Sequence, residues 1–166
     1  MSQSFWRQIA NAFGLSGQEW QKHANPMSVW TRFTVLPLFI LAVWSREWFG
    51  WWSLVLIALV VVWAWVNPRL FNPPSSKDNW ASMAVLGEQI WLENSSSALI
   101  GHHRIVPLLL SIVAGFGVPF LGWGLWHLDV WPTMVGTILI YSGKVWFLDR
   151  MVWLYCEHHQ TALRDT

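Results

Sequence analysis

The chain has 166 residues, of which 54% are hydrophobic and 11% are charged, and sixteen of them are tryptophan. A soluble domain has about a quarter of its residues charged, so this composition favours an integral membrane protein. The formal net charge of +1, with ten Lys and Arg residues spread along the chain, excludes a nucleic-acid-binding protein, which needs many cations facing phosphates. The single cysteine, Cys156, excludes an internal disulfide and a CxxC metal or redox motif.

Residues 1–22 form an amphipathic N-terminal segment. Trp6, Ile9 and Phe13 share one helical face, and Arg7 is placed to meet lipid headgroups. This pattern predicts a short helix on the membrane surface, and a frayed tail is the alternative. Because the segment has no continuous apolar core, we do not expect a cleaved secretory signal.

Four apolar stretches predict an all-α integral membrane fold, a bundle of four transmembrane helices within residues 23–157. Each stretch approaches the ~20 residues that cross ~30 Å of hydrocarbon, and the first two are short enough to depend on flanking tryptophans. Short turns join the first two stretches and the last two, so we expect two tight hairpins. Residues 158–166 form a C-terminal tail. The predicted spans are 29–44, 51–66, 105–126 and 131–155.

A further helix is predicted between the second and third spans, over residues 79–93, with Asp78 as its cap. An apolar face that begins at Trp80 and a polar face that includes Ser82 indicate an amphipathic helix along the cytoplasmic surface. Glu88 lies at the edge of the apolar face, where it can point into the bundle.

Eight of the ten Lys and Arg residues, and five of the six histidines, fall on the side that holds both predicted termini. Arg46 lies in the opposite turns, and Lys144 lies inside the fourth span. The positive-inside bias therefore places the chain in the inner (cytoplasmic) membrane with both termini in the cytoplasm. Most tryptophans fall near the two predicted membrane boundaries, where aromatic residues form interfacial belts.

Polar residues concentrate near the inner boundary, and we expect them to converge on one cytoplasmic pocket. Ionisable residues inside a membrane are costly and often mark a functional site. Arginine binds two phosphate oxygens at once through its planar fork, and carboxylate and imidazole groups serve as acids and bases. The candidate ligand-binding residues are Asn25, Arg32, Asn67, Arg69, Asn79 and Arg150. The candidate acid–base residues are His23, Asp78, Glu88 and Asp149.

These candidates also have structural explanations. Asp149 can pair with Arg32 or Arg150, because a charge at mid-bilayer costs roughly 2.5–3.5 kcal/mol. Asn25 and Asn67 each precede a proline, a pattern typical of helix ends.

The histidines suggest a metal site as a further hypothesis. Imidazole and carboxylate ligands suit zinc or iron, and His23, His102 and His103 are the candidate ligands. Adjacent helical residues point about 100° apart, so His102 and His103 rarely hold one ion together. No HExxH motif occurs, and histidines that meet lipid phosphates or water are the alternative. The cofactor therefore stays unknown.

The third span carries Gly115, Gly117, Gly122 and Gly124 together with Pro119. Small residues let helices approach closely in lipid, and an internal proline predicts a kink. We expect tight packing here, either within the bundle or in a homo-oligomer.

Four segments stand out along the chain: HANPMSVWTRF, NPRLF, DNWASMAVLGE and WFLDRMVWLY. Together they resemble a family of small, Trp-rich integral membrane proteins of bacteria and archaea whose function is unknown. The resemblance covers roughly Lys22 to Tyr155 and leaves out the N-terminal segment and the His158 and His159 tail. It implies the same four-span plan and supplies no activity, cofactor or catalytic residue.

Two function hypotheses from different classes follow. In the first, the chain is a small membrane enzyme or a lipid- or diphosphate-binding protein, and membrane lipids are its partners. In the second, it is a non-catalytic scaffold or a subunit of a larger membrane complex, in which the same charges lock the helices together. A transporter is less favoured, because four short spans enclose a path only in an oligomer.

Overall fold

The regular structure of the described residues is helical. The computed structural model describes residues 17–93 and 101–164, with side chains for 20–93, 103 and 105–160. The predicted N-terminal surface helix around Trp6, Ile9 and Phe13 lies outside the described residues. The helices are α1 (Gly17–His23), α2 (Pro26–Phe33), α3 (Val35–Trp44), α4 (Arg46–Phe49), a 3₁₀ turn (Gly50–Trp52), α5 (Ser53–Leu70), α6 (Trp80–Glu93), α7 (Gly101–His127) and α8 (Val130–Arg164).

Two helical stretches are long and apolar enough to cross a membrane, judged by length and composition. They are Pro26–Leu70, with a mean hydropathy of 2.1, and Ile105–His127, with a mean hydropathy of 2.2. Within these apolar windows, only 6% and 17% of the residues are buried inside the protein. The prediction of an all-α chain is confirmed for the described residues, with two apolar stretches of membrane-spanning length.

The predicted first span is divided at Thr34, where α2 ends and α3 begins. Pro37 has no N–H to donate to the carbonyl of Phe33, four residues earlier, so the regular helical bond is lost there. The hydroxyl of Tyr141 on α8 donates to that Phe33 carbonyl instead. A side chain from a distant helix thus satisfies the backbone group that the proline leaves free.

α5 returns antiparallel to α2 and α3, and a buried polar contact fixes the pairing. Asn67, which is 0% exposed, accepts a hydrogen bond from the Ser28 hydroxyl at 3.1 Å. Its Nδ2 donates to Thr31 Oγ1 at 2.6 Å. Hydrogen bonds of this kind join helices where lipid offers no polar partner. Asn67 therefore joins the end of α5 to the start of α2.

α7 and α8 pack so closely that glycine is required at the contact. A Cβ added to Gly124 would lie 2.4 Å from the backbone nitrogen of Thr133, and one added to Gly136 would lie 2.4 Å from that of Leu121. The predicted close approach of the glycine-rich span is confirmed within the bundle. Gly115 and Gly122 face no described atom within 4 Å, and self-association through them stays a prediction.

α6 lies between α1 and α8, so it is buried on more than one side. A Cβ on Gly87 would meet the backbone oxygen of Met151 on α8 at 2.0 Å. Ser82 is 0% exposed and its hydroxyl donates to the carbonyl of Ala24 at 2.6 Å. The prediction that Ser82 lies on an outer polar face is therefore wrong, because the junction between α1 and α2 at Ala24 covers that face.

The start of α6 also differs from the prediction. Asn79 caps the helix, because its Oδ1 accepts a hydrogen bond from the backbone N–H of Ser82 at 2.9 Å. Asp78, the predicted cap, instead accepts from the Ser76 hydroxyl at 3.1 Å. Both Asn and Asp suit a cap, and the helix begins one residue later than expected.

The two hairpins meet at the end of the molecule opposite α6. The Arg46 guanidinium donates to the carbonyl of Leu125 at 2.9 Å and also to that of Trp126. Trp51 and Trp131 beside this contact are largely exposed. The carbonyls at the end of α7, which have no helical N–H partner, are thus satisfied by a side chain from the first hairpin.

Candidate functional site

A cavity of ≈ 550 Å³ opens between α1, α2, α5, α6 and α8. Among the described residues, three cations face it, Arg32, Arg69 and Lys144, together with one carboxylate, Glu88. The cavity therefore has an excess of positive charge. The other lining residues are Trp20, His23, Val61, Ala64, Trp65, Pro68 and Val85.

Arg32 is held at the cavity wall by backbone carbonyls. Its Nη2 donates to the carbonyl of His23 at 2.9 Å and its Nε donates to the carbonyl of Ser28 at 3.2 Å. Among the described residues, its Nη1 has no acceptor. These bonds fix the plane of the guanidinium and leave donor capacity for an anion.

Arg69 lies in the last turn of α5, on the other side of the cavity. Its guanidinium is 4.2 Å from the centre of the Trp65 ring and donates to the Trp65 carbonyl. Stacking of this kind positions a cation with little entropy loss on binding. Arg69 is exposed, so it can reach a charged group that enters the cavity from outside.

Glu88 and Lys144 form a loose ion pair on the third side of the cavity. Lys144 Nζ lies 3.6 Å from Glu88 Oε1, and their side chains are 47% and 27% exposed, respectively. Lys144 Nζ also lies 4.9 Å from the centre of the Phe147 ring. An ion pair this exposed is worth about 0–1 kcal/mol, so an incoming anion can compete for the ammonium.

A second cavity of ≈ 210 Å³ adjoins the first and shares Arg32, Val85, Glu88 and Lys144 with it. Its remaining wall is apolar and aromatic. The three shared charged side chains thus separate a charged cavity from an apolar one.

The structure brings together four of the predicted site residues, His23, Arg32, Arg69 and Glu88, around the larger cavity. The three candidate asparagines lie elsewhere. Asn25 caps α2 and donates to the carbonyl of Asn72 at 2.8 Å. Asn67 joins helices and Asn79 caps α6, as described above.

Asp149 and Arg150 also lie outside both cavities. The Trp80 indole N–H donates to Asp149 Oδ1 at 3.4 Å, and the Arg150 guanidinium is 4.8 Å from the centre of the Trp153 ring. Among the described residues, Asp149 makes no ion pair with Arg32 or Arg150 within 4.0 Å. The predicted pairing is wrong, because the carbonyls of His23 and Ser28 hold Arg32 and the Arg150 guanidinium lies over the Trp153 ring.

Lys144 is the site residue that the sequence-based candidates lacked. The sequence does point to Lys144, because it is a cation inside a predicted span, where a charge is costly without a partner or a ligand. Its partner, Glu88, lies on a helix outside the predicted spans, so sequence spacing gave no hint of the contact.

The histidines occupy different places. His23 lines the larger cavity, whereas His103 is buried with its Nε2 2.8 Å from Glu157 Oε2. The His102 side chain lies outside the described residues. In the part of the chain that the structure describes, no group of three His, Cys, Asp or Glu side chains is placed to hold a metal ion.

One comparison with known proteins gives a match. The model of DUF6653, a family of unknown function, matches residues 5–164, so the chain belongs to that family. The expected relationship to a family of unknown function is confirmed, and the match extends beyond the predicted Lys22 to Tyr155 at both ends. No curated protein and no solved structure matches the chain.

Proposed function

We propose that this member of a family of unknown function is a four-span inner-membrane protein that binds a phosphate-bearing lipid headgroup. The headgroup occupies the larger cavity, at the cytoplasmic boundary of the bilayer. The observation that carries the proposal is the convergence of Arg32, Arg69 and Lys144 on one cavity, where Glu88 is the one carboxylate among the described residues.

The outward faces of the helices support a membrane location. Leu59 on α5, Phe116 on α7 and Ile138 on α8 are each more than half exposed. Soluble monomers rarely expose continuous apolar surface of this extent. α5 has 18 residues, or about 27 Å of helix, and α7 is longer, so both suit a hydrocarbon core of ~30 Å.

Helix lengths also support four crossings with the cavity at the inner boundary. α8 has 35 residues, about 52 Å of helix, so it crosses the core and extends beyond it. The part that extends lies on the side where Met151 packs against α6. α1, α6 and the mouth of the cavity then lie at the same boundary, where lipid phosphates are found.

The cavity also retains two of the predicted acid–base groups, His23 and Glu88. Asp78 and Asp149 are exposed outside it, so they are not proposed as catalytic groups. Binding of the phosphate is the proposed function, and a reaction on the headgroup would use His23 and Glu88.

Reporter fusions test the four-span topology. Green fluorescent protein fused after Thr166 should fluoresce, whereas a periplasmic phosphatase fused there should be inactive. Both reporters should behave in the opposite way when they are inserted after Glu47, in the turn between the first two spans. The same reporter response at both positions would contradict an odd number of crossings between the first hairpin and the C-terminus.

Lipid binding tests the cavity. The full chain, purified in detergent, is mixed with micelles containing phosphatidic acid or phosphatidylcholine, and bound lipids are counted by native mass spectrometry. We expect a preference for phosphatidic acid, which Arg69→Leu should reduce at least tenfold, since a charge-assisted hydrogen bond contributes about 1.5–3 kcal/mol.

Lys77→Leu is the matched control, because it removes a cation from the same side of the molecule outside the cavity. It should leave the preference unchanged. Equal binding of the two lipids, or equal losses in Arg69→Leu and Lys77→Leu, would contradict the proposal and favour a non-catalytic scaffold.

A further inference from the structure

The two cavities meet at Arg32, Glu88 and Lys144, which line both of them. On one side of these residues, the larger cavity adds the cation Arg69. On the other side, the smaller cavity adds no further charged group from the part of the chain that the structure describes. The residues found only in the smaller cavity are Val29, Phe33, Leu36, Ile140, Tyr141 and Leu148.

The smaller cavity runs along α8 from Leu148 to Ile140, which is about 12 Å of helix. Leu36 lies one helical turn beyond Arg32 in the direction of the first hairpin. Phe33, Leu36, Ile140 and Tyr141 thus lie beyond Arg32 and Lys144 toward the interior of the proposed bilayer, whereas Val29 and Leu148 lie on the side of the inner boundary.

Resting on the proposed headgroup site, we infer that the ligand is a phosphate-bearing lipid with one hydrocarbon chain lodged in the smaller cavity. The phosphate lies between Arg32, Arg69 and Lys144 in the larger cavity. The chain passes the Glu88 and Lys144 pair and lies between Leu36 and Ile140. The smaller cavity, with a volume of ≈ 210 Å³, has room for one hydrocarbon chain, so any second chain stays in the bilayer.

Lys144 is placed to serve both parts of such a ligand. Its ammonium pairs with Glu88 at 3.6 Å, while it lies 4.9 Å from the Phe147 ring centre. A cation at the junction of a charged and an apolar cavity suits the point where a phosphate joins a hydrocarbon chain. A soluble anion would use the larger cavity and gain nothing from the smaller one.

A series of soluble ligands of increasing chain length separates these alternatives. Inorganic phosphate and mono-alkyl phosphates from butyl to octyl are titrated into the full chain in detergent, and binding is measured by calorimetry. Affinity should rise with chain length by up to about fourfold for each added methylene group, since each one leaves water for the apolar cavity.

Leu36→Trp fills the smaller cavity and should abolish this rise, leaving octyl phosphate bound no more tightly than butyl phosphate. Leu38→Trp is the matched control on the same helix, because Leu38 is 43% exposed and lines neither cavity. It should keep the full dependence on chain length.

The two proposals fail in different ways. If alkyl phosphates bind with an affinity that does not depend on chain length, and Arg69→Leu still weakens them, the headgroup site stands and the chain site is overturned. This holds even where Leu36→Trp fails to fold, because the wild-type series alone decides it. If no phosphate binds, or Arg69→Leu changes nothing, the headgroup site is overturned as well.

Discussion

The hairpin of α7 and α8 and the cavity half formed by α1, α2, α5 and α6 are held together by different contacts. In the α7–α8 hairpin, the two backbones are in contact, and there is no space for a Cβ at Gly124 or Gly136. In the cavity half, side-chain hydrogen bonds join the helices, as between Ser28 and Asn67. Open space remains beside these bonds, including the cavity of ≈ 550 Å³.

This difference shows how a small helical bundle combines a closely packed region with an open cavity. Glycine contacts bring two helices together along their length and exclude any ligand between them. Polar and charged side chains keep the other helices further apart and supply the groups that a ligand can contact. α8 belongs to both regions, because it packs on α7 and also carries Lys144 into the cavity.

The largest expected effect comes from Gly124→Ala, which breaks the close contact. The added Cβ would lie 2.4 Å from both the backbone nitrogen and the Oγ1 of Thr133, so α7 and α8 must separate. We expect the free energy of unfolding to fall by roughly 3 kcal/mol, at the upper end of overpacking costs. Unfolding by sodium dodecyl sulfate in mixed micelles, followed by tryptophan fluorescence, measures it.

Gly122→Ala is the control, since a Cβ on Gly122 meets no described atom within 4 Å. It should leave stability unchanged or raise it by up to about 1 kcal/mol, because alanine favours a helix more than glycine does. Equal losses in the two variants would show that the α7–α8 contact is not what stabilises the hairpin.

Asn67→Ala tests the polar contact of the cavity half and should cost about 2 kcal/mol. It removes the acceptor of the buried Ser28 hydroxyl and the donor to Thr31. The same unfolding measurement applies. Asn72→Ala, which keeps the carbonyl that Asn25 contacts, should change stability by less than about 0.5 kcal/mol. A loss that matched this control would mean that the α2–α5 contact depends on packing alone.

The sequence predicted this difference between the two regions only in part. Glycines in an apolar stretch indicated close packing. The positions of Arg32, Arg69 and Glu88 near the ends of predicted spans or outside them indicated that the three residues lie at the same predicted membrane boundary. Rotation of the helices was not predictable, because lipid and protein interior are both apolar and the pattern of hydropathy hardly distinguishes them. Lys144 was missed because its partner Glu88 lies on a helix outside the predicted spans, and Ser82 was placed on the wrong face because its contact with Ala24 was not predictable.

Local breaks were also beyond the sequence pattern. Pro37 signals a disturbed helix, but where the chain divides depends on a distant donor, the Tyr141 hydroxyl, that satisfies the Phe33 carbonyl. A contact between residues so far apart along the chain is set by the assembled bundle. The order and type of the helices, in contrast, follow from local composition and were predictable.

Glu88→Gln examines the electrostatics of the cavity half, with a smaller effect. It removes the carboxylate that opposes an anion beside Arg32 and Lys144, so binding of butyl phosphate should tighten about fivefold, the factor that about 1 kcal/mol gives. Calorimetric titration measures it. Glu93→Gln, an exposed change on the same helix, should have no effect. Weaker binding in Glu88→Gln would mean that the carboxylate contacts the ligand directly as an acceptor.

Asp149→Asn should have the smallest effect, and it tests whether the charged groups of the cavity half include Asp149. Its carboxylate is exposed and accepts one long hydrogen bond of 3.4 Å from Trp80, which an amide oxygen accepts equally well. The free energy of unfolding should change by less than about 0.5 kcal/mol, as for a typical surface substitution. Asp78→Asn, at another exposed carboxylate, should behave alike in the same unfolding experiment. A loss above about 1.5 kcal/mol for Asp149→Asn alone would indicate that a buried cation pairs with it, and the charged groups of the cavity half would then extend along α8 as far as Asp149.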